Sequence, residues 1–132
     1  MKQVEVLIVE DDKMMSFLHQ EIVKNKGLSD DPQAFLNGRD ALQFLLARDA
    51  EEKASVILLD LNMPVMNGWQ FLDELGKRDI RSETSVFVVT SSVDRADREK
   101  AANYDVVEDY LVKPLKDLSG IREKIQELRL QN

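Results

Sequence analysis

The chain has 132 residues, a formal net charge of -7 and no cysteine, which points to a single domain and excludes thiol nucleophiles, cysteine metal sites and disulfide scaffolds. The area scaling of folded chains gives roughly 7,000 Å² of surface, with about two-thirds of the extended-chain surface buried, enough for a core without cross-links. The acidic balance disfavours nucleic acid and anionic membrane as partners, and no basic stripe opposes it.

The opening MKQVEVLIVEDD interrupts its apolar run with Glu5 and ends in acids, so it is neither a signal peptide nor a spanning segment. A cytoplasmic protein of one domain, residues 1–132 with no output domain, is the expectation. Residues 4–9 form the first strand candidate, continuously apolar from Val6 to Val9 and ending at Glu10, Asp11 and Asp12. From Lys13 the pattern turns helical, with Met14, Phe17, Leu18 and Ile22 on a shared face and Gly27 placed to stop it. Met14 and Met15 read as packing residues. A short extended segment at 33–36 follows, and Asn37 caps a helix carrying Ala41, Leu42, Leu45 and Leu46 before a charged exit at 49–53.

The central stretch is VILLDLNMPVMNG at 56–68, a run of four aliphatic residues that leads directly into Asp60. A strand with apolar neighbours on both sides is covered on both faces, as in a parallel sheet between helices. Phe71, Leu72 and Leu75 mark the next buried helical face, closed by Gly76 and the charged 77–81 stretch. Residues 85–90 make a fourth strand ending in Thr90, Ser91 and Ser92. Ser91 and Asp94 then suggest a capping box for a helix through about Asn103, anchored only by Ala96, Ala101 and Ala102. A fifth strand at 109–112 reaches Lys113 and Pro114, and a last helix at 118–130 turns Leu118, Ile121, Ile125 and Leu128 inward.

Five alternations of strand and helix with right-handed crossovers predict an α/β, doubly wound, five-stranded parallel sheet, a flavodoxin-like three-layer sandwich. The order 2-1-3-4-5 sets strands one and three side by side and brings Asp11 next to Asp60. Two carboxylates about 5 Å apart repel by roughly 3 kcal/mol at an effective dielectric of about 20. A hard divalent cation offsets that repulsion, and Mg²⁺ accepts a few such oxygens while keeping waters that a phosphate can replace. Asp60 is then a competent nucleophile for a phosphoryl group, with the Lys113 ammonium neutralising charge and the Thr90 hydroxyl meeting the product.

Four stretches, VLIVEDD at 6–12, LLDLNMPVMNG at 58–68, VVTSS at 88–92 and DYLVKPL at 109–115, resemble the bacterial response-regulator receiver domain of two-component signalling, specifically the single-domain type of the chemotaxis response regulator. The resemblance covers essentially the whole chain. It implies that Asp60 is the phosphoacceptor, that Glu10 and Asp11 are the acidic pair, and that Asn62 lends a backbone carbonyl to Mg²⁺, for which Mn²⁺ is a plausible substitute. It further implies that Lys113 assists before a commonly cis proline and that Thr90 and Tyr110 are the switch pair, while the longer side chain of Glu10 argues that Asp11 binds the ion directly and Glu10 through water. Glu10 replaces the commonest aspartate, and 105–108 lacks the glycine often found before the last strand. The donor is expected to be a histidine kinase or histidine phosphotransfer protein, because His19, the only histidine, reads as a surface or partly packed residue of the first helix. The output is expected in trans on an unidentified downstream protein, from a monomer or a weak phosphorylation-dependent dimer. Two other classes compete: a degenerate receiver that only binds proteins, which should have lost Asp60, Lys113 or the metal acids, and a Mg²⁺-dependent phosphohydrolase, which should have a second acid where Asn62 stands.

Overall fold

The computed structural model describes residues 3–47, 53–78 and 83–131. Strands β1 (Gln3–Val9), β2 (Gln33–Phe35), β3 (Lys53–Leu59), β4 (Thr84–Thr90) and β5 (Val107–Val112) alternate with helices α1 (Lys13–Asn25), α2 (Gly38–Ala47), α3 (Gly68–Lys77), α4 (Arg95–Ala102) and α5 (Ser119–Arg129). All strand pairs are parallel, in the order β2-β1-β3-β4-β5. The predicted architecture and strand order are those observed, with β1, β3, β4 and β5 starting one to three residues earlier than predicted. The charged exits predicted at 49–53 and 77–81 lie largely outside the described residues.

Alternation along the apolar strands divides the core in two, as a strand of period two requires. Leu7, Val9, Ile57, Leu59, Val86 and Val88 join Ala41, Leu42, Leu45, Phe71, Leu72 and Ala101, placing α2, α3 and α4 on one face. Val6, Ile8, Val56, Leu58, Phe87 and Val89 meet Val23, Ile121, Ile125 and Leu128, placing α1 and α5 on the other. The predicted inward face of α5 is correct in full.

Helix α1 differs from its predicted face. Its buried residues are Ser16, His19 and Val23, whereas Met14, Phe17 and Leu18 are 83%, 64% and 42% exposed. The helix is thus rolled so that a polar strip faces the sheet, and this strip is tolerated because its groups find partners. Ser16 Oγ accepts from Gln20 Nε2 at 3.2 Å, and His19 accepts a main-chain N–H described below. The predicted stop holds: Gly27, at φ 72°, donates to Lys24 O, while Leu28 donates to Val23 O, both at 3.0 Å. This paired closure ends a helix on a left-handed glycine. Asn37 caps α2 as predicted, its Oδ1 accepting from Asp40 N at 2.9 Å, although Leu46 is 38% exposed.

The predicted Ser91–Asp94 capping box is replaced by a later cap. Asp94 itself accepts from Ala96 N at 2.9 Å, and Ser92 Oγ donates to Asp97 at 2.7 Å. Helix α4 buries only Ala101 of its three expected anchors. Polar and ring contacts supplement it: Lys100 Nζ lies 4.3 Å over the Trp69 ring, and Arg98 stacks 4.7 Å over Tyr110. Where the glycine is missing before β5, the register with β4 slips between Val86 and Phe87, leaving Glu108 as the extra residue of a bulge.

Candidate functional site

Register decides which acids meet. Val9 lies opposite Leu59; Asp60 N then donates to Val9 O at 3.0 Å, and Glu10 N donates to Phe35 O at 2.9 Å. The two carboxylates therefore leave adjacent strands at the same level. Glu10 and Asp60 are buried, whereas Asp11 is exposed beside them. One oxygen from each of Glu10, Asp11 and Asp60 lies within 4.8 Å of the others.

From β5, Lys113 extends its ammonium between two of these acids, 3.1 Å from Asp60 Oδ2 and in an ion pair with Glu10 Oε1. Its backbone N–H is fixed by Thr90 O at 2.9 Å, and the Lys113–Pro114 bond is cis. The electrostatics follow from burial. Desolvation pushes the Glu10 carboxyl up to about 7, and the Asp60 charge adds to this, against the Lys113 ammonium and the Asp12 N–H at Glu10 Oε2. Burial alone would lower the Lys113 ammonium, but the two carboxylates outweigh it and raise it above its ordinary value.

The loop after β3 completes the pocket. Asn62 N lies 3.5 Å from Asp60 Oδ1, and its side chain is exposed. Val65 sits at φ 70° with Met66 N donating to Pro64 O at 2.8 Å, a left-handed γ-turn that strains a β-branched residue. Val65→Gly should raise stability by about 1 kcal/mol, read as a higher urea midpoint at unchanged slope. At the start of α3, Gly68 allows the helix to rest on the acceptor strand: a Cβ there would lie 2.5 Å from Asp60 O and 2.7 Å from Leu61 Cα. Gly68→Ala should cost at least about 2 kcal/mol and shift the Asp60 and Leu61 amide resonances.

Thr90 is fully buried at the end of β4, its Oγ1 accepting from Ser92 N at 3.4 Å. Tyr110, the expected switch partner of Thr90, is buried, and its hydroxyl donates to Ser92 O at 3.0 Å. Trp69 is partly exposed and stacks on Tyr104 with ring centroids 6.2 Å apart. Tyr104 in turn donates to Asp73 at 2.7 Å, and burial together with that carboxylate pushes its phenol up to about 12.

The donor set suits a hard cation. It offers carboxylate oxygens and no sulfur, and three acids face one ammonium, an excess that a divalent ion balances. Among the described residues, buried Glu10 Oε1 meets only the Lys113 ammonium, which leaves one of its lone pairs for a cation.

The family model for the response regulator receiver domain matches residues 6–126. The chain belongs to that family. Among curated relatives, Response regulator Rcp1 of Synechocystis sp. is 32% identical, over 96% of this chain and 88% of its own length. Two-component response regulator ARR22 of Arabidopsis thaliana is 34% identical over 86% and 76%. Regulator of RpoS of Escherichia coli (strain K12) is 32% identical over 92% of this chain, which spans only 33% of that relative's length. In structure, a two-component response regulator from Cytophaga hutchinsonii superposes with a TM-score of 0.83 at 28% identity, covering 99% and 100% of the two chains. The receiver is thus a response-regulator domain of phosphorelay signalling, and receivers typically bind Mg²⁺ in an acidic pocket. Among the described residues, no helix is long and apolar enough to cross a membrane.

The structure brings together Glu10, Asp11, Asp60 and Lys113 as the sequence predicts, with Asn62 beside them. Two contributors were missed. Asp12 caps α1, accepting from Met14 and Met15 N at 3.0 and 3.1 Å, while its own N–H holds Glu10; an aspartate just before a helical pattern is the signal for it. His19, expected at the surface or partly packed, is buried at 2% exposure, and no local pattern announces that.

Proposed function

We propose that the receiver accepts a phosphoryl group on Asp60 from a phosphohistidine of a histidine kinase or phosphotransfer protein and then acts in trans on a protein partner. The observation that carries this reading is the Lys113 ammonium seated between Asp60 and Glu10 at the edge of an acidic cluster. The Asp60 carboxylate attacks phosphorus as the phosphorus–nitrogen bond of the donor breaks, and the imidazole departs with the electron pair. Lys113 holds its positive charge where the transferring oxygens gather, and the Asn62 N–H lies toward the other carboxylate oxygen. Glu10, Asp11 and Asp60, with the Asn62 carbonyl, would hold Mg²⁺, which when bound supplies further charge neutralisation at phosphoryl oxygens. The exposed apolar strip of Met14, Phe17 and Leu18, just after the acidic pair, offers a donor protein a place to rest.

Phosphorylation adds about -1.5 to -2 charges. Thr90 turns toward the new oxygens and releases Ser92 N, and because Ser92 O also holds the Tyr110 hydroxyl, the move passes to β5 and the thinly anchored α4. Intact mass after incubation with acetyl phosphate and Mg²⁺ tests the reading. A labile gain of about 80 Da is expected in the wild type, absent in Asp60→Asn and without the metal. A gain that survives Asp60→Asn overturns it, as does a folded, Mg²⁺-binding wild type that no histidine kinase or acetyl phosphate can load.

A further inference from the structure

His19 stands two turns along α1, on the buried strip it shares with Ser16 and Val23, beside a core layer built from Val6 and Ile8 of the sheet together with Val23, Leu115 and Leu118. An imidazole buried to 2% exposure costs free energy that a leucine in the same place would not. Its Nε2 does have a partner: the Leu115 N–H donates to it at 3.4 Å. That N–H is the first main-chain donor after Lys113, because Pro114 has none. On the other side, Lys113 N donates to Thr90 O at 2.9 Å. The chain carrying the lysine is therefore tied on one side to β4 and on the other to α1, the helix whose cap also holds Glu10.

We propose that His19 is a positioning residue for phosphoryl transfer: its imidazole tethers the Leu115 N–H so that the Lys113 ammonium stays between Asp60 and Glu10. The tether needs a lone pair on Nε2. Burial, with the Lys113 charge adding to it and the Asp60 charge opposing it, pulls the ring down to about 4, so the neutral acceptor form persists at neutral pH. Lysine position matters because a displacement of about 1 Å in a reacting group can cost up to about a hundredfold in rate. This inference rests on Asp60 being the acceptor.

The test compares His19→Leu, which fills the space but accepts nothing, with His19→Gln, whose amide oxygen can accept the Leu115 N–H. Three quantities are read: the rate of Asp60 loading by acetyl phosphate, the Mg²⁺ affinity from Trp69 fluorescence, and the exchange protection of the Leu115 amide by NMR. His19→Leu should load about tenfold more slowly with Mg²⁺ affinity and melting temperature preserved and Leu115 deprotected, and His19→Gln should recover most of the rate. Loading by His19→Leu at the wild-type rate overturns the proposal, and so does equal slowing in both variants that tracks a lower melting temperature. Should His19→Leu not fold, His19→Met replaces it, and fast exchange at Leu115 in the wild type overturns the tether outright. A wild type that never gains mass would refute the acceptor reading instead, while the Leu115 comparison still decides the tether.

Discussion

Lys113→Met should lower the stability of the metal-free receiver by about 4 kcal/mol at pH 8, because it leaves two carboxylates in place with no cation between them. The Glu10, Asp60 and Lys113 side chains are 3%, 5% and 11% exposed, so water cannot take over the neutralisation. Methionine fills similar volume, which confines the change to charge. Two further readings separate charge from packing. Acid should shrink the deficit, since the Glu10 carboxyl, already raised to about 7 in the wild type, takes up a proton and removes one of the two uncompensated charges, and the gap between variant and wild type should narrow as pH falls from 8 to 5. Mg²⁺ should shrink it too: Glu10, Asp11 and Asp60 are all retained, and binding at about a hundred times the dissociation constant contributes about 2.7 kcal/mol. Urea unfolding at pH 5 and pH 8, each with and without Mg²⁺, decides the matter. A deficit identical in all four conditions would assign the loss to packing and remove Lys113 from the electrostatic account. The same variant should load phosphate slowly, for the ammonium that offsets Glu10 and Asp60 is the one poised for the transferring oxygens.

The parts of this fold that sequence exposes are those where local pattern and tertiary environment demand the same residues. Val6 to Val9, Val56 to Leu59 and Val86 to Val89 are continuously apolar because both sheet faces are covered, and each run ends in side chains that the parallel register must bring to one edge. Asp60, Glu10 and Lys113 are legible for that reason. Helix α1 fails the same reading. Its apolar stripe and its buried strip lie on different faces, since Met14 and Phe17 point to solvent while Ser16 and His19 point inward. The partner that receives the buried imidazole is Leu115, 96 residues away, and nothing near His19 encodes it. Helix α4 fails more mildly. Alanines at 96, 101 and 102 carry too little surface to indicate which one is inside, and Ser91, Ser92 and Asp94 are all competent caps, so the choice among them rests on Asp97 and the β4 exit. An exposed apolar stripe over a polar buried strip is also the kind of local inconsistency expected where a helix serves a site as well as a core.

Glu10→Gln should change how stability depends on pH. The Glu10 carboxyl has an ordinary value of 4.5 and is raised to about 7 in the folded receiver, so between these values the folded state holds more protons than the unfolded one. Stability from this group therefore falls as pH rises from about 4.5 to about 7, by about 3 kcal/mol in all. His19 acts with the opposite sign: lowered from 6.5 to about 4, it is neutral when folded while the unfolded ring is still charged, so its contribution rises with pH across nearly the same window. The two slopes offset each other in the wild type. Lys113, raised above 10.5, keeps its contribution until well above this range. Removing the Glu10 titration leaves the histidine slope unopposed, and the variant should gain on the wild type steadily from pH 4.5, by about 3 kcal/mol at pH 8, a figure in which the Glu10–Lys113 ion pair is already included. Taking the difference between the two proteins at each pH removes every group they share. A difference that stays flat from pH 4.5 to 8 would mean that ionised Glu10 costs the folded state nothing. Mg²⁺ should reverse the ranking at pH 8, because the charge that destabilises the metal-free receiver is the charge a cation uses: the wild type gains stability from the ion by mass action, and Glu10→Gln gains less.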